Sequence, residues 1–357
     1  MKNLQCQFGL SGAPHERKIN EGRRAFGRPS QSRARLDASA ADALEAPRVL
    51  RASPAPPAQN QEQCGEMATR SRQSLHMLEY AGFRVMGFML SALPVEASSK
   101  LGGWLVGWFG PKSKKRHPRL LRNLKSAMPE LDDAGAEKLA GEVWRNLGFV
   151  LGEFFHLDEI ARGRVAVENP EVLRAIAAAG KGAVFCGAHQ ANWEGGGAVL
   201  VDFGFKPLGV YHPMSNALVN ARVLATRLKY YPGGLMAKRD PETPVAMIRY
   251  ARQGGGIAFL VDQQVHMGLQ TPFFGRPAQS TPFPAMVARQ CGIPLVLITG
   301  ERLPGVKFRM RAQVIDVPRT EDRNADIFAA TAAMQAELER TIRQHPEQWM
   351  WTHDRWK

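Results

Sequence analysis

A chain of 357 residues, 44% of them hydrophobic, can bury one large α/β core or two ordinary ones, which excludes disorder throughout. A formal charge of +14 favours anionic partners, whether nucleic acid, an anionic membrane surface, phosphorylated lipid or an acidic carrier protein, without choosing among them. Four scattered cysteines, Cys6, Cys64, Cys186 and Cys291, lack CxxC pairs and zinc-finger spacing, so neither a disulfide framework nor a structural zinc site is indicated and a reducing compartment fits best.

Residues 1–66 are rich in Arg, Ala, Pro, Ser and Gln, contain the breaker stretch "RASPAPPAQN" and show almost no periodic apolar pattern; they are expected to be a disordered basic extension. The opening is Arg-rich and acid-poor like an organelle transit peptide, but it lacks the apolar core of a secretory signal. Met67 lies just ahead of the first amphipathic sequence, so the extension also reads as upstream sequence translated from an early start codon. From Tyr80 to Gly110 the chain is strongly apolar, yet Arg84, Pro94, Glu96 and Lys100 interrupt it and no clean run of about 20 apolar residues licenses a membrane span. Two short apolar segments, the second carrying Trp104 and Trp108 and running straight into "PKSKKRHPR", predict that 67–110 is a membrane-associated helical segment lying in or dipping into the bilayer beside a basic anchor. A buried pair of core helices is the plainer alternative.

The remainder, 111–357, is expected to be the catalytic domain. A turn at Met128-Pro129 precedes helical spacing through Leu139, Val143, Leu147, Val150 and Leu151. Beyond it, "GAVFCGAH", "KPLGVYHP", "GGIAFLVDQQ" and "IPLVLITGER" read as buried strands, with "NALVNARVLATRLKYY" and "ETPVAMIRYARQ" as helices between them. This alternation predicts an α/β fold with a central sheet, active residues at the strand ends and helices on its flanks.

"FCGAHQANWEGGG" places His189 and Glu194 five positions apart, about 140° around a regular helix, so the two could not meet on one. A strand-to-helix turn would bring them together: "GAVFCGA" as strand, His189 at its exit, Asn192 as N-cap and Glu194 in the first helical turn. The helix end favours a carboxylate there by roughly 0.3–1 kcal/mol. A carboxylate against one imidazole nitrogen leaves the other free to take a proton from a hydroxyl, which makes a general base. Glycines 195–197 would each cost about 1 kcal/mol in a helix, so a close approach to that backbone is expected. Alone, the H-x-x-x-x-E spacing also fits a core histidine bonded to backbone, and Cys186, three residues before His189, reads either as a nucleophile or as a small buried apolar residue.

Taken with the rest of the chain, these blocks resemble the late lipid A (lauroyl/myristoyl) acyltransferases of Gram-negative bacteria, within the H-x4-D/E acyltransferase superfamily. "GAHQANWE" is similar to that family's catalytic block, "VYHPMSN" to its Y-R-P region, "KRD" at 238–240 to its basic block, "LVDQQ" to its Asp-Gln strand end, "TPFFG" to its V-P-F-F-G and "HPEQWMWTHDRWK" to its closing signature. The likeness runs from about Leu75 to Lys357, and the ordered set is specific where each block alone is not. It implies a mixed, largely parallel central sheet of glycerolphosphate-acyltransferase type, at the cytoplasmic face of the inner membrane. It implies acyl transfer from acyl carrier protein to a hydroxyl of a 3-hydroxyacyl chain on a phosphorylated lipid A precursor, with no cofactor, no metal and no nucleic-acid partner. His189 would be the base and Glu194 its orienting carboxylate. Arg227, Lys238 and Arg239 would contact acceptor phosphates, Asp262 would hold a loop or basic partner near the site, and His353 and Arg355 would be substrate contacts. Trp349 and Trp351 read as packing residues. His212 replaces the Arg of Y-R-P, and Asp354 stands where Arg is frequent, both removing positive charge where phosphate contacts are expected.

Rival readings stay open on the residues alone. A glycerol-phosphate or lysophospholipid acyltransferase would share the fold, a metal-dependent hydrolase could draw on His189, Glu194, Asp262 and His266, and a basic nucleic-acid-binding protein would fit the charge.

Overall fold

A computed structural model describes the backbone of residues 65–356 and side chains from residue 73 onward; apart from its last two residues, the 1–66 extension lies outside the described residues. Five helices come first: α1 (Gly65–Ser91), α2 (Val95–Phe109), α3 (Arg116–Ala127), α4 (Asp133–Glu153) and α5 (Leu157–Gly163). Then follow β1 (Val165–Val167), α6 (Pro170–Ala179), β2 (Ala183–Gly187), α7 (Gly196–Asp202), β3 (Pro207–Tyr211), α8 (Ala217–Arg227), β4 (Gly234–Ala237), α9 (Thr243–Arg252) and β5 (Gly256–Leu260). The chain closes with β6 (Leu269–Phe273), β7 (Arg276–Ser280), α10 (Phe283–Cys291), β8 (Leu295–Leu303), β9 (Lys307–Ile315) and α11 (Arg323–Gln344).

The main sheet has the order β1-β9-β8-β2-β5-β3-β4. Five strands run parallel, while β9 pairs antiparallel with β8 and carries β1 with it, so the sheet is mixed and mostly parallel. The reversal is local: Gly305 (φ 76°) and Val306 (φ 52°) turn the chain straight back after β8. Strand β2 is buried on both faces, as its unbroken apolar run requires. Val184 and Cys186 join a core with Leu295, Leu297, Met334 and Leu338, while Ala183 and Phe185 pack with Leu173, Ile176, Val199 and Leu200 on the other side. The strands read from the sequence are β2, β3, β5 and β8. Strand β9 alternates exposed and buried residues, and the β6–β7 hairpin turns through Phe274 (φ 54°) and Gly275 (φ 68°); neither shows the continuous apolar run that marks the others.

The apolar N-terminal segment is built into this same unit. Helix α2 lies along α4 with the backbones nearly touching, since a Cβ at Gly102 would sit 2.3 Å from the Gly148 carbonyl oxygen and one at Gly152 2.3 Å from that of Ser98. Ser98 Oγ donates to the Gly152 carbonyl (2.9 Å) and Ser99 Oγ to Glu153 Oε1 (2.6 Å). The outer face is apolar and bare: Trp104, Trp108 and Phe109 on α2 and Leu78, Val85 and Phe88 on α1 are all exposed. Among the described residues no helix is long and apolar enough to cross a membrane.

Gly148→Leu should therefore force α2 from α4 and lower stability by about 3 kcal/mol in denaturant unfolding. Gly141→Ala on the same helix, where a Cβ meets nothing within 4 Å, should instead raise stability by up to about 1 kcal/mol.

Candidate active site

Strands β2 and β5 are neighbours with Gly187 opposite Leu260, so the residues just past their C-terminal ends emerge side by side. Val261 N donates to the Gly187 carbonyl (2.9 Å), and the next residue, Asp262, faces His189. Asp262 Oδ1 lies 2.9 Å from His189 Nδ1, and Oδ2 accepts from the His189 backbone N–H (3.0 Å) and from Trp349 Nε1 (2.9 Å). The carboxyl is 1% exposed. Burial works to raise its pKa, but the charge and hydrogen bonds of His189, with that of Trp349, outweigh it and hold Asp262 well below the usual carboxylate range. A carboxylate at Nδ1 fixes the proton there and leaves Nε2 with its lone pair.

The segment after His189 is set by sequence. Asn192 accepts from Glu194 N (3.2 Å) and caps the short turn 193–195 that leads into α7, as the pattern predicts. Between them Ala191 sits at φ 51°, a conformation costing about 1–3 kcal/mol in a non-glycine residue. Residues 348–350 hold it there: Ala191 N donates to the Gln348 carbonyl (2.9 Å), and Met350 N to that of His189 (3.0 Å). Of the three glycines, only Gly197 meets a close approach, a Cβ there lying 2.8 Å from the Tyr231 ring; one at Gly196 would meet nothing within 4 Å.

The expected pairing of His189 with Glu194 is corrected by this geometry. Glu194 takes a two-pronged ion pair from Arg227, Nε to Oε2 at 2.8 Å and Nη2 to Oε1 at 2.5 Å, and Asp262 occupies Nδ1 of His189. The 3₁₀ turn directs Glu194 toward α8, where a planar guanidinium matches both oxygens. His189, Glu194 and Arg227 nonetheless line one cavity of about 310 Å³, whose other walls include Phe185, Leu200, Val210, Phe259, Ile298 and Met310. Cys186 also lines it, but burial pushes its thiol pKa far up, which suits a packing residue.

His353 stands near His189, ring centroids 5.6 Å apart. Between them Gln263 Nε2 lies 2.9 Å from His353 Nε2 and 3.4 Å from His189 Nε2, so its amide N–H groups face both rings. Burial, then the charge of His189, lowers the His353 pKa to about 4. Arg355, expected at the substrate, is buried with 0% exposure. It donates to the Gln279 carbonyl (2.8 Å), Ser280 Oγ (2.6 Å) and Gln335 Oε1 (3.1 Å), fastening the hairpin to α11, and burial draws its pKa down to about 10. Lys238 and Arg239 are exposed just past β4 and do not line the cavity. Asp354 faces Arg119 and Arg122 of α3 at 3.6 Å each, and so ties down the closing segment. The four donors named for a metal-centred hydrolase do not converge: no group of three or more acidic, His or Cys side chains among the described residues is arranged to hold a metal.

Sequence reasoning missed the support behind the site. Glu153, fully buried, binds Arg302 through both oxygens (2.5 and 2.9 Å) and accepts from Asn192 (2.9 Å) and Ser99. Arg302 also reaches Asn146 Oδ1 (3.0 Å), and its backbone N–H donates to Gln348 (2.6 Å). Removing one partner of such a pair typically costs about 3–5 kcal/mol. The signal was a Glu on an apolar helix and an Arg ending an apolar strand, each expensive unless matched.

The family model for bacterial lipid A biosynthesis acyltransferases matches residues 67–357. The chain belongs to that family. It is an acyltransferase. It is 27% identical over 293 residues to the lipid A biosynthesis lauroyltransferase of Escherichia coli K12, covering 79% of this chain and 92% of that one. It is 25% identical over 298 residues to the palmitoleoyltransferase of the same organism and to a lipid A biosynthesis acyltransferase of Shigella flexneri, in each case covering 80% of this chain and 94% of the relative. In this acyltransferase the closing segment is tied into the site, since Trp349 touches Asp262 and His353 touches Gln263.

His353 gives the enzyme an acid sensitivity of definite sign. The unfolded chain protonates it near 6.5 and the native protein only near 4, so stability is complete above 6.5 and is lost as pH falls between those values. His353→Gln should flatten the fall in melting temperature from about pH 7 to about pH 5 relative to the parent.

Proposed function

We propose that this acyltransferase moves a fatty acyl chain from an acyl carrier protein thioester to the hydroxyl of a 3-hydroxyacyl chain on a phosphorylated lipid A precursor. The observation that carries the reading is His189, its Nδ1 bound at 2.9 Å to a buried carboxylate, beside a cavity with apolar walls. Nε2 takes the proton as the acceptor oxygen attacks the thioester carbonyl. A C–O bond forms, the carbonyl becomes an oxyanion, and on its collapse the C–S bond breaks while imidazolium returns the proton to sulfur. Asp262 supports the transient imidazolium and keeps its orientation. Gln263, with an N–H facing His189 Nε2, is suited to donate to the oxyanion, for which such donors are typically worth about 10²–10³ in rate.

Glu194 then serves as the positioning partner of Arg227, whose guanidinium is the cavity's cation for an acceptor phosphate; Lys238 and Arg239 would act farther out. The bare aromatic face of α1 and α2, with Lys112 seated 3.0 Å from the Trp108 ring centroid, supports attachment to the cytoplasmic face of the inner membrane. The positive surface suits both the acidic carrier and the phosphorylated acceptor.

Assays with defined carrier thioesters and lipid A precursors test this. His189→Ala should lower kcat at least about 100-fold, and Asp262→Asn by about 10²–10⁴. Glu194→Gln should act mainly on KM for the phosphorylated acceptor. Near-normal kcat in Asp262→Asn with loss in Glu194→Gln would return the orienting role to Glu194; near-normal turnover in His189→Ala would end the proposal.

A further inference from the structure

Apart from the cavity beside His189, α1, α5 and α8 enclose a second recess of about 290 Å³, and no residue lines both. Its walls are aromatic and cationic: Phe83 and Phe88 of α1, Phe155 after α4, and the cations Arg84, Arg222 and Lys229. A Cβ at Gly87 would lie 2.7 Å from the Phe155 ring, so the glycine lets α1 settle onto that ring and close the floor.

The charges are not balanced from within. Lys229 is taken by Asp158 at 2.7 Å, and the same carboxylate accepts from the Tyr230 hydroxyl. Among the described residues Arg84 reaches only Tyr80, its hydroxyl at 3.3 Å and its ring centroid at 5.9 Å, and neither it nor Arg222 has an acidic partner. Two permanently charged guanidinium groups therefore share a recess whose lining carboxylate, Asp158, is already engaged by Lys229 and Tyr230, and a phosphate is a ligand that matches their planar donors. The surroundings identify its source. Phe88 is both a wall of the recess and 76% exposed, and Val85 and Met89 extend the same bare apolar face. A phosphate held here would sit at the edge of a greasy surface, where a phospholipid carries its headgroup above its chains; a soluble phosphate gains nothing from that rim.

We propose that this recess binds the phosphate of an anionic phospholipid headgroup and seats α1 on the bilayer. It rests on the membrane-surface reading of α1 and α2, and it concerns a bystander lipid rather than donor or acceptor. The full chain is tested by flotation with vesicles of phosphatidylcholine alone and of phosphatidylcholine mixed with phosphatidylglycerol. With each surface cation contributing about five- to sixfold, Arg84→Gln/Arg222→Gln should bind the mixed vesicles about thirtyfold more weakly and the neutral vesicles unchanged. Arg309→Gln/Arg311→Gln, an equal charge change on β9 in the other half of the sheet, should bind both as the parent does, and equal melting temperatures will show both variants folded. Equal losses in the two double variants would reduce the effect to bulk charge and overturn the proposal, as would undiminished binding by Arg84→Gln/Arg222→Gln. Thermal protection by soluble glycerol 3-phosphate that disappears in that variant would make the occupant a soluble phosphate, overturning the lipid assignment. A parent chain that floats with neither vesicle would defeat the membrane reading and this site together, whereas a variant that floats like the parent defeats the site alone.

Discussion

A carboxylate with 1% exposure is the hinge of this molecule. Left without partners, Asp262 would cost several kcal/mol, and every partner it has comes from a different part of the fold. His189 reaches it from the end of β2, its own position follows from β5, and Trp349 reaches it from beyond α11. The parallel pairing of β2 with β5 is what sets two strand ends at the same height, and the carboxylate then decides how the imidazole between them is protonated. Sheet register, ring orientation and the tautomer of His189 are in this sense one fact.

The same economy runs through the turn behind it. Ala191 holds a left-handed conformation that alanine resists, and it is kept by backbone hydrogen bonds from the segment after α11. Asn192 caps the 193–195 turn with its oxygen while its amide nitrogen goes to Glu153, so one side chain joins the turn after His189 to the buried Arg302 pair. A polar network of this kind is favourable only when each member is matched, and here Glu153 is matched by three different elements.

Much of the architecture was legible because buried parallel strands announce themselves as apolar runs, and β2, β3, β5 and β8 do so. Strand β9 was not, since its alternating residues face a core on one side and water on the other and it shows no continuous run. The turn from His189 through the Asn192 cap could be read from spacing and residue type. The identity of the carboxylate at His189 could not: Glu194 is near in sequence, whereas Asp262 becomes a neighbour only through strand order, which one chain does not display. Arg355 illustrates the opposite error, a charge that reads as a substrate contact yet lies fully buried because a carbonyl, a hydroxyl and an amide surround it. Asp354 likewise answers two arginines of α3.

The glycine seam between α2 and α4 has one more implication. Because Ser99 and Asn192 bind the same carboxyl of Glu153, the tryptophan-bearing helix and the loop presenting the imidazole are fastened to a single buried post. Trimming the chain back to its sheet would not leave a smaller, soluble catalyst. It would open a slot the width of a helix and leave an acid stranded at its base, so the greasy front of the protein is masonry for the turn that carries His189 as much as a surface in its own right.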